Sequence, residues 1–225
     1  MSEFITQVNP RLKGIKLQFC PYRGLIISSP KKLSNRKLAQ LCLQHKHWIE
    51  QQRQKHNGKN THLETTLNLL ALEKSYSIQT HIDNNKLTLS DETISIMGEN
   101  EAQQIDLLKK WIRKQAIQFY QQRIDFWSQK TGLFFKKLSV RSQKSRWGSC
   151  SSNGTISLND QLLFMPSTVL DYIIVHELCH TVEANHSLKY WQCVENHYPN
   201  YQHQEQLLSQ SVKLIPDWFR ASLYT

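Results

Sequence analysis

The alternation of apolar and polar residues in the first hundred positions predicts two strand-rich segments with one helix between them. Between residues 4 and 28, short apolar runs alternate with Pro and Gly, which is typical of two or three strands joined by tight turns. Ser34 is a suitable N-cap for an amphipathic helix over 35–55. The polar stretch 56–61 predicts a linker, and residues 67–97 alternate again and predict further strands.

The second half of the chain has the period of long helices. Apolar side chains recur at helical spacing over 101–129, and Gly132 marks the expected end of this helix. Residues 137–141 and 155–158 then predict two strands, the second of them preceded by the hairpin signal Asn153-Gly154. We expect the long helix to pack its apolar stripe into the core.

A mostly apolar run over 169–175 predicts a buried helix, and this helix continues into an H-E-x-x-H motif. His176 and His180 lie one turn apart on one helical face, where both imidazoles can reach the same metal ion. Glu177 follows the first histidine, so its carboxylate can face a water on the metal. Three protein ligands and one water are the pattern of a catalytic zinc site.

His186 is the expected third ligand, but an unbroken helix could not deliver it. Ten helical residues would carry His186 about 15 Å along the axis from His176. The chain must therefore turn back after about Glu183, and Asn185 is the expected pivot because Asn tolerates left-handed backbone angles. Glu195, on a following helix, is the alternative third ligand.

Two segments on either side of this helix carry a family resemblance. The run R-W-G-S-C-S-S-N-G-T-I-S-L-N at 146–159 precedes it, and Asn185-His186-Ser187 with Tyr190-Trp191 follows it. Together they resemble the YgjP-like family of bacterial metal-dependent hydrolases, which have a zincin-type metallopeptidase core. The resemblance is strongest over about 140–195 and extends more loosely to the Trp-Ile pair in 46–49.

The pattern and the resemblance together predict an α+β fold. Its expected centre is a zincin-like core with a long backing helix, a small mixed sheet and an active-site helix that carries H-E-x-x-H. A β-rich N-terminal region with one helix precedes this core. We divide the chain into basic N-terminal strands plus helix at 1–62, a β-rich middle segment at 63–100 and a metal-binding catalytic core at 101–225.

The predicted chemistry is that of a zinc-dependent hydrolase, most simply a metallopeptidase with one Zn²⁺ per chain. His176, His180 and His186 bind the metal, and Glu177 activates the metal-bound water for attack on a peptide carbonyl. The substrate is a peptide or another hydrolysable compound.

Residues near the motif in sequence are candidates for the substrate rim. They are Arg146, Trp147, Ser149, Asn159 and Tyr190. Either Arg146 or Tyr190 would stabilise the oxyanion, whereas Asp171 and Glu195 are candidates to orient the ligand imidazoles. Cys150 is expected to pack rather than to react.

Positive charge is concentrated in the N-terminal quarter of the chain. Residues 1–62 hold 12 Lys or Arg and 2 acidic residues, and the remaining positions hold 16 of each. The whole net charge of +10 therefore lies in the first segment. Such a surface either is a solvated face without a dedicated partner or attracts an anionic one, such as nucleic acid or a nucleotide.

The remaining composition favours a cytoplasmic protein. The five cysteines are scattered and form no C-x-x-C pair, which is typical of reduced thiols. No apolar run approaches the roughly 20 residues that span a bilayer, and the first residues lack a signal pattern. We therefore expect no membrane partner.

Three other functions stay open from the sequence. The first is a metal-dependent phosphohydrolase acting on nucleoside triphosphates, although the chain has no Walker loop. The second is a DNA-associated protease that resembles the SprT-like proteins in its H-E-x-x-H arrangement. The third is a non-catalytic basic binding protein with a structural metal, which would require a fourth protein ligand.

Overall fold

The computed structural model describes residues 4–20, 24–56, 62–143 and 145–220, so most of the predicted linker at 56–61 lies outside the described residues. The chain divides into two compact units. The first comprises Met1–Leu63 with Asp217–Thr225, and the second comprises Glu64–Pro216. The middle segment and the metal-binding segment of our division, up to Pro216, thus belong to one unit.

The first unit is a small three-stranded sheet with two helices. Its elements are β1 (Phe4–Val8), β2 (Lys16–Cys20), β3 (Gly24–Ser29), α1 (Asn35–Gln44) and α2 (Lys46–His56), with a single helical turn at Asp217–Arg220. The strand order is β1-β3-β2, with β1 parallel and β2 antiparallel to β3. Leu25 and Ile27 of β3 pack with Leu38, Leu41 and Ile49 of the helices in one apolar cluster.

The single helix expected over 35–55 is wrong, because the structure contains two helices there. Ser34 caps the first helix as predicted, and its hydroxyl accepts a hydrogen bond from the backbone N–H of Lys37 at 3.3 Å. That helix ends at His45, whose backbone angles of −106° and 16° leave the helical region. The apolar stripe alone does not reveal this break, since Leu41 and Ile49 contribute to the same cluster from both sides of it.

The second unit begins with a four-stranded sheet and a long helix. These elements are β4 (Thr66–Leu69), β5 (Lys74–His81), β6 (Lys86–Ser90), β7 (Thr93–Met97) and α3 (Glu101–Thr131). The strand order is β4-β5-β7-β6, in which the central pair is parallel and both outer pairs are antiparallel. Gly132 ends α3 in a left-handed conformation with φ of 70°, as its position predicts.

The rest of the second unit is a three-stranded sheet followed by three helices. They are β8 (Lys137–Arg141), β9 (Gly148–Cys150), β10 (Thr155–Asn159), α4 (Ser167–Cys179), α5 (Leu188–His197) and α6 (Tyr201–Ser211). The strand order is β8-β10-β9, with β8 parallel and β9 antiparallel to β10. The overall class is therefore the α+β fold that the sequence predicts, built from small sheets and several helices.

Helix α4 lies at the centre of the second unit. It packs against α3, α5, α6 and β9, and ten of its thirteen residues are buried. Asp171 pairs with the guanidinium of Arg123 on α3 through two hydrogen bonds, at 2.8 and 2.5 Å. Burial on all sides explains why the part of this helix before the H-E-x-x-H motif, residues 169–175, is almost continuously apolar. In the described residues, no helix combines the length and the apolarity needed to cross a bilayer.

Candidate metal centre

The chain leaves helix α4 earlier than the sequence predicts. The helix ends at Cys179, and His180 is already its C-cap, so the turn precedes the predicted position near Glu183. Asn185 is not the left-handed pivot, because the non-glycine residues with positive φ among the described residues lie elsewhere in the chain. The turn is built instead by backbone hydrogen bonds, among them those from the N–H groups of Thr181 and Glu183 to Leu178 and Cys179.

This turn brings three histidines together. The Nε2 atoms of His176 and His186 are 3.2 Å apart, although ten positions separate the two residues. One ring nitrogen from each of His176, His180 and His186 lies within 4.8 Å of the other two. Glu195, the alternative third ligand, is exposed on α5 and does not belong to this group.

The surroundings of His176 and His180 favour the neutral imidazole, which is the form that binds a metal. The Nδ1 atom of His180 is 3.0 Å from the carbonyl oxygen of Glu183, a contact that requires a proton on Nδ1 and leaves Nε2 with a lone pair. Burial, followed by the neighbouring histidines, lowers the pKa of His176 to about 3. Burial also lowers the pKa of His180. Three imidazoles whose ring nitrogens converge on one point fit a divalent transition metal.

The two residues predicted to orient these imidazoles do not do so. Asp171 lies on α4 itself but pairs with Arg123 of α3, and the Nδ1 atom of His176 has no hydrogen-bond partner among the described residues; Glu195 is exposed. The backbone carbonyl of Glu183 takes this role for His180. Sequence reasoning missed it because a carbonyl group belongs to every residue type and has no signature in the sequence.

Glu177 is the buried acid of the site. Its side chain is 4% exposed, and its Oε2 atom has no hydrogen-bond partner among the described residues. Burial raises the pKa of Glu177 to about 8, and the positive charge of Arg146 partly opposes this effect. In its ionised form this carboxylate, with one oxygen free in a dry setting, can accept a proton from water.

Gly148 on β9 provides the space for this carboxylate. A Cβ atom at position 148 would lie 2.7 Å from Cγ and 2.8 Å from Cδ of Glu177, and closer still to Oε1. Any side chain there would therefore displace the Glu177 carboxylate. The sequence shows a glycine in a tight segment, but only the fold reveals that the segment passes over Glu177.

A cavity of about 240 Å³ opens over the three histidines and Glu177. Its other lining residues are Arg146, Gly148, Ser149, Cys150 and Ala184. Two of the candidates for the substrate rim, Arg146 and Ser149, thus line this cavity. Burial and the charge of Glu177 raise the pKa of the Cys150 thiol, so this cysteine faces the cavity in its neutral form.

The other predicted rim residues have different positions. Asn159 is buried, and its Nδ2 atom donates hydrogen bonds to the carbonyls of Gln143 at 3.0 Å and Arg146 at 2.8 Å. It holds the segment that leads into β9 and does not line the cavity. Trp147 is half-buried and is also absent from the lining. Tyr190 is fully buried, and its hydroxyl donates to the carbonyl of His176 at 3.0 Å, so it is not free to bind an oxyanion.

Comparisons with known proteins identify a family for this chain. The model of the YgjP-like family, metallopeptidase domain, matches residues 13–211. No curated protein matches the chain significantly. Among solved structures, the zymogen of Pyrococcus abyssi abylysin is 22% identical, with a TM-score of 0.39 over 42% of this chain and 95% of its own. The zymogen of Methanocaldococcus jannaschii jannalysin is 23% identical, with a TM-score of 0.37 over 43% and 97%.

Proposed function

We propose a zinc peptidase mechanism for this chain, which belongs to the YgjP-like family of metallopeptidase domains. As a member of that family it is a metal-dependent hydrolase. The residues that we assign are His176, His180 and His186 as ligands of one Zn²⁺, and Glu177 as the base. The observation that carries the proposal is that this buried carboxylate and the three converging imidazoles line one cavity.

The donor set favours a catalytic zinc over a structural one. In the part of the chain that the structure describes, the group contains three imidazoles and no fourth Cys, Asp or Glu. Three nitrogen ligands leave one coordination position open, which is the composition of catalytic zinc sites. Zinc bound there would supply Lewis-acid chemistry, that is, it would acidify water and polarise a carbonyl group.

The proton transfers fall to Glu177. Its unpartnered Oε2 atom takes a proton from the attacking water, and the same carboxyl group later gives that proton to the leaving nitrogen. Gly148 leaves the space that the carboxylate fills, and both residues line the cavity. Arg146 lines the same cavity and is the remaining candidate to stabilise the oxyanion, since the hydroxyl of Tyr190 is engaged.

Strand β9 is the element that we assign to substrate binding. It is the outer strand of the β8-β10-β9 sheet, and its three residues line the cavity. An extended peptide can pair with the backbone of such a strand through main-chain hydrogen bonds. This assignment predicts cleavage of unfolded or extended chains in preference to compact domains.

A peptide-library digestion tests the proposal directly. The zinc-loaded protein is incubated with a mixture of unstructured peptides, and new termini are identified by mass spectrometry. We expect cleavage that a chelator abolishes, that added zinc restores and that Glu177→Gln lacks. Release of phosphate from nucleoside triphosphates without peptide cleavage would replace the peptidase by the phosphohydrolase alternative.

The charge distribution supports a second role, in which the first unit binds DNA. Nine described cations of this unit are exposed: Arg11, Lys13, Lys16, Lys31, Lys32, Arg36, Lys37, Lys46 and Arg53. Glu50 is the sole acidic residue in the described part of 4–56.

Binding of the protein to DNA can be tested through its salt dependence. We expect retention on duplex DNA that weakens steeply as salt rises. Arg36→Glu with Lys37→Glu should reduce this retention, and Lys110→Glu with Lys114→Glu in the second unit should not; equal effects would contradict the role.

A further inference from the structure

Tyr190 occupies an unusual position beneath the three histidines. It lies in the first turn of α5, where its N–H donates to the capping hydroxyl of Ser187 at 3.3 Å. Its side chain is fully buried, and its hydroxyl donates to the backbone carbonyl of His176 at 3.0 Å. The phenol ring is therefore fixed at both ends, by the backbone of α5 and by the backbone of α4.

The ring of Tyr190 touches every member of the histidine group. It stacks on His180 with the ring centroids 4.4 Å apart and the planes inclined by 23°. It meets His186 edge to face at 4.7 Å and His176 edge to face at 5.3 Å. In the described residues, no other aromatic ring outside the group contacts all three imidazoles.

These contacts restrict the rotations that matter for metal binding. An imidazole ring can turn about its χ2 bond unless neighbours hold its plane, because this torsion is broad. The stack of Tyr190 and the hydrogen bond to Glu183 together hold the plane of His180. His186 is exposed, and it depends on Tyr190 at its edge and on Trp191, which stacks on it at 5.6 Å.

We propose that Tyr190 is the positioning residue of the metal centre: its ring packs against the imidazoles of His176, His180 and His186 and sets the orientation of their planes. The proposal rests on the assignment of these histidines as metal ligands. It gives Tyr190 a task different from substrate binding, because its ring supports the ligands and its hydroxyl is bound to α4. Rigid support of this kind holds ligands in the geometry that the metal requires.

Tyr198 provides a matched control. It is the C-cap of α5, and its hydroxyl also donates to a carbonyl of α4, that of Thr168, at 3.1 Å. Its ring contacts are with Trp127 and Tyr172, so it touches none of the three histidines. Removing either side chain disturbs the packing around α4, but only the removal of Tyr190 also removes the ring that contacts the three histidines.

The experiment compares Tyr190→Leu, Tyr190→Phe and Tyr198→Leu with wild type in the full chain. The dissociation constant for Zn²⁺ is measured by chelator competition, and the visible spectrum of the Co²⁺-loaded protein reports the ligand geometry. We expect Tyr190→Leu to weaken zinc binding about 10–100-fold and to shift the cobalt bands. Tyr190→Phe keeps the ring, so we expect the wild-type cobalt spectrum and a loss of about fivefold from the missing hydrogen bond. Tyr198→Leu should bind both ions as wild type does.

Each outcome separates this inference from the proposed function. Wild-type affinity and spectrum in Tyr190→Leu, or equal losses in Tyr198→Leu, would overturn the role of Tyr190 and leave the peptidase intact. A wild type that binds both ions but cleaves no peptide would overturn the peptidase alone, and one that binds neither ion would overturn both. If Tyr190→Leu does not fold, Tyr190→Phe decides: unchanged zinc affinity contradicts the pinning of the ring.

Discussion

The three histidines are held by two segments with very different surroundings. His176 lies in a helix that other elements cover on nearly all sides, and His180 is the C-cap of the same helix. His186 lies in an exposed turn without regular structure, and apart from the other two histidines the aromatic rings that contact it, Tyr190 and Trp191, come from the following helix. The helix thus provides a rigid half of the site, whereas the turn provides a half that depends on a few aromatic contacts.

The difference shows how a short motif becomes a site. A buried helix fixes the spacing of two ligands and a base, and it can do so with local hydrogen bonds and core packing alone. The turn must bring a third ligand back from ten positions away, so it relies on Tyr190 and Trp191. We therefore expect substitutions of Glu177 and of Gly148 beside it to affect chemistry, and substitutions around the turn to affect metal retention.

The largest effect is expected from the base. Glu177→Gln removes the group that handles the proton, so the turnover number should fall by about 10²–10⁴-fold while the zinc content stays at wild-type level. Hydrolysis of a peptide found in the library digestion gives the rate, and elemental analysis gives the zinc. Glu195→Gln makes the same change on exposed α5 and should be silent; a matching loss there would point to the alternative ligand.

A similar but smaller effect is expected from the space above the base. Gly148→Ala places a Cβ against the Glu177 carboxylate, and displacement of a catalytic group by about 1 Å typically reduces the rate about 100-fold. The zinc content should not change, because the histidines are not displaced. Gly14→Ala is the control, since a Cβ there meets nothing within 4 Å. Wild-type turnover in Gly148→Ala would show that the Glu177 carboxylate does not need the space that Gly148 leaves.

The exposed half of the site should respond through metal retention. Trp191 stacks on His186 and on Tyr201, so Trp191→Ala frees one face of the His186 ring. We expect zinc to bind about 10-fold more weakly, with Trp191→Phe closer to wild type. Zinc transfer to a coloured chelator provides the measurement. Equal affinity in all three proteins would mean that the turn holds His186 without the stack.

The smallest effect on the site is expected from Asp171. Its partner is Arg123 on α3, so Asp171→Asn weakens a part-buried ion pair and should lower the free energy of unfolding by about 1–3 kcal/mol. Thermal unfolding should shift downward by several degrees for a chain of this size. Zinc affinity, measured on the folded protein, should stay unchanged. Loss of affinity would restore Asp171 as a residue that orients the ligands.

The sequence predicts those parts of the fold that local chemistry determines. The extent of α3 with its end at Gly132, the turn at Asn153-Gly154 before β10 and the buried helix before H-E-x-x-H all follow from residue types at fixed spacing, whereas strand β9 on the other side of that turn is not predicted. His186 is also found by spacing alone. These features need no knowledge of distant contacts.

The parts that sequence reasoning missed depend on distant contacts. Gly148 leaves space for Glu177, Asn159 is buried and binds the carbonyls of Gln143 and Arg146, and Tyr190 is buried against the three histidines. The turn after α4 forms without a left-handed Asn185, because backbone hydrogen bonds satisfy it. None of these relations has a period or a motif, so only the folded chain reveals them.

The most direct test of the account is the zinc content of three purified proteins: wild type, Glu177→Gln and His186→Ala. A zinc site with three histidine ligands and Glu177 as a free base predicts about one zinc per chain in wild type, the same content in Glu177→Gln and loss of most of the zinc in His186→Ala. That result would establish a three-histidine site with a free base beside it. A wild type that holds no zinc and takes up none, or a His186→Ala variant that retains it fully, would contradict the assignment of the three histidines as zinc ligands.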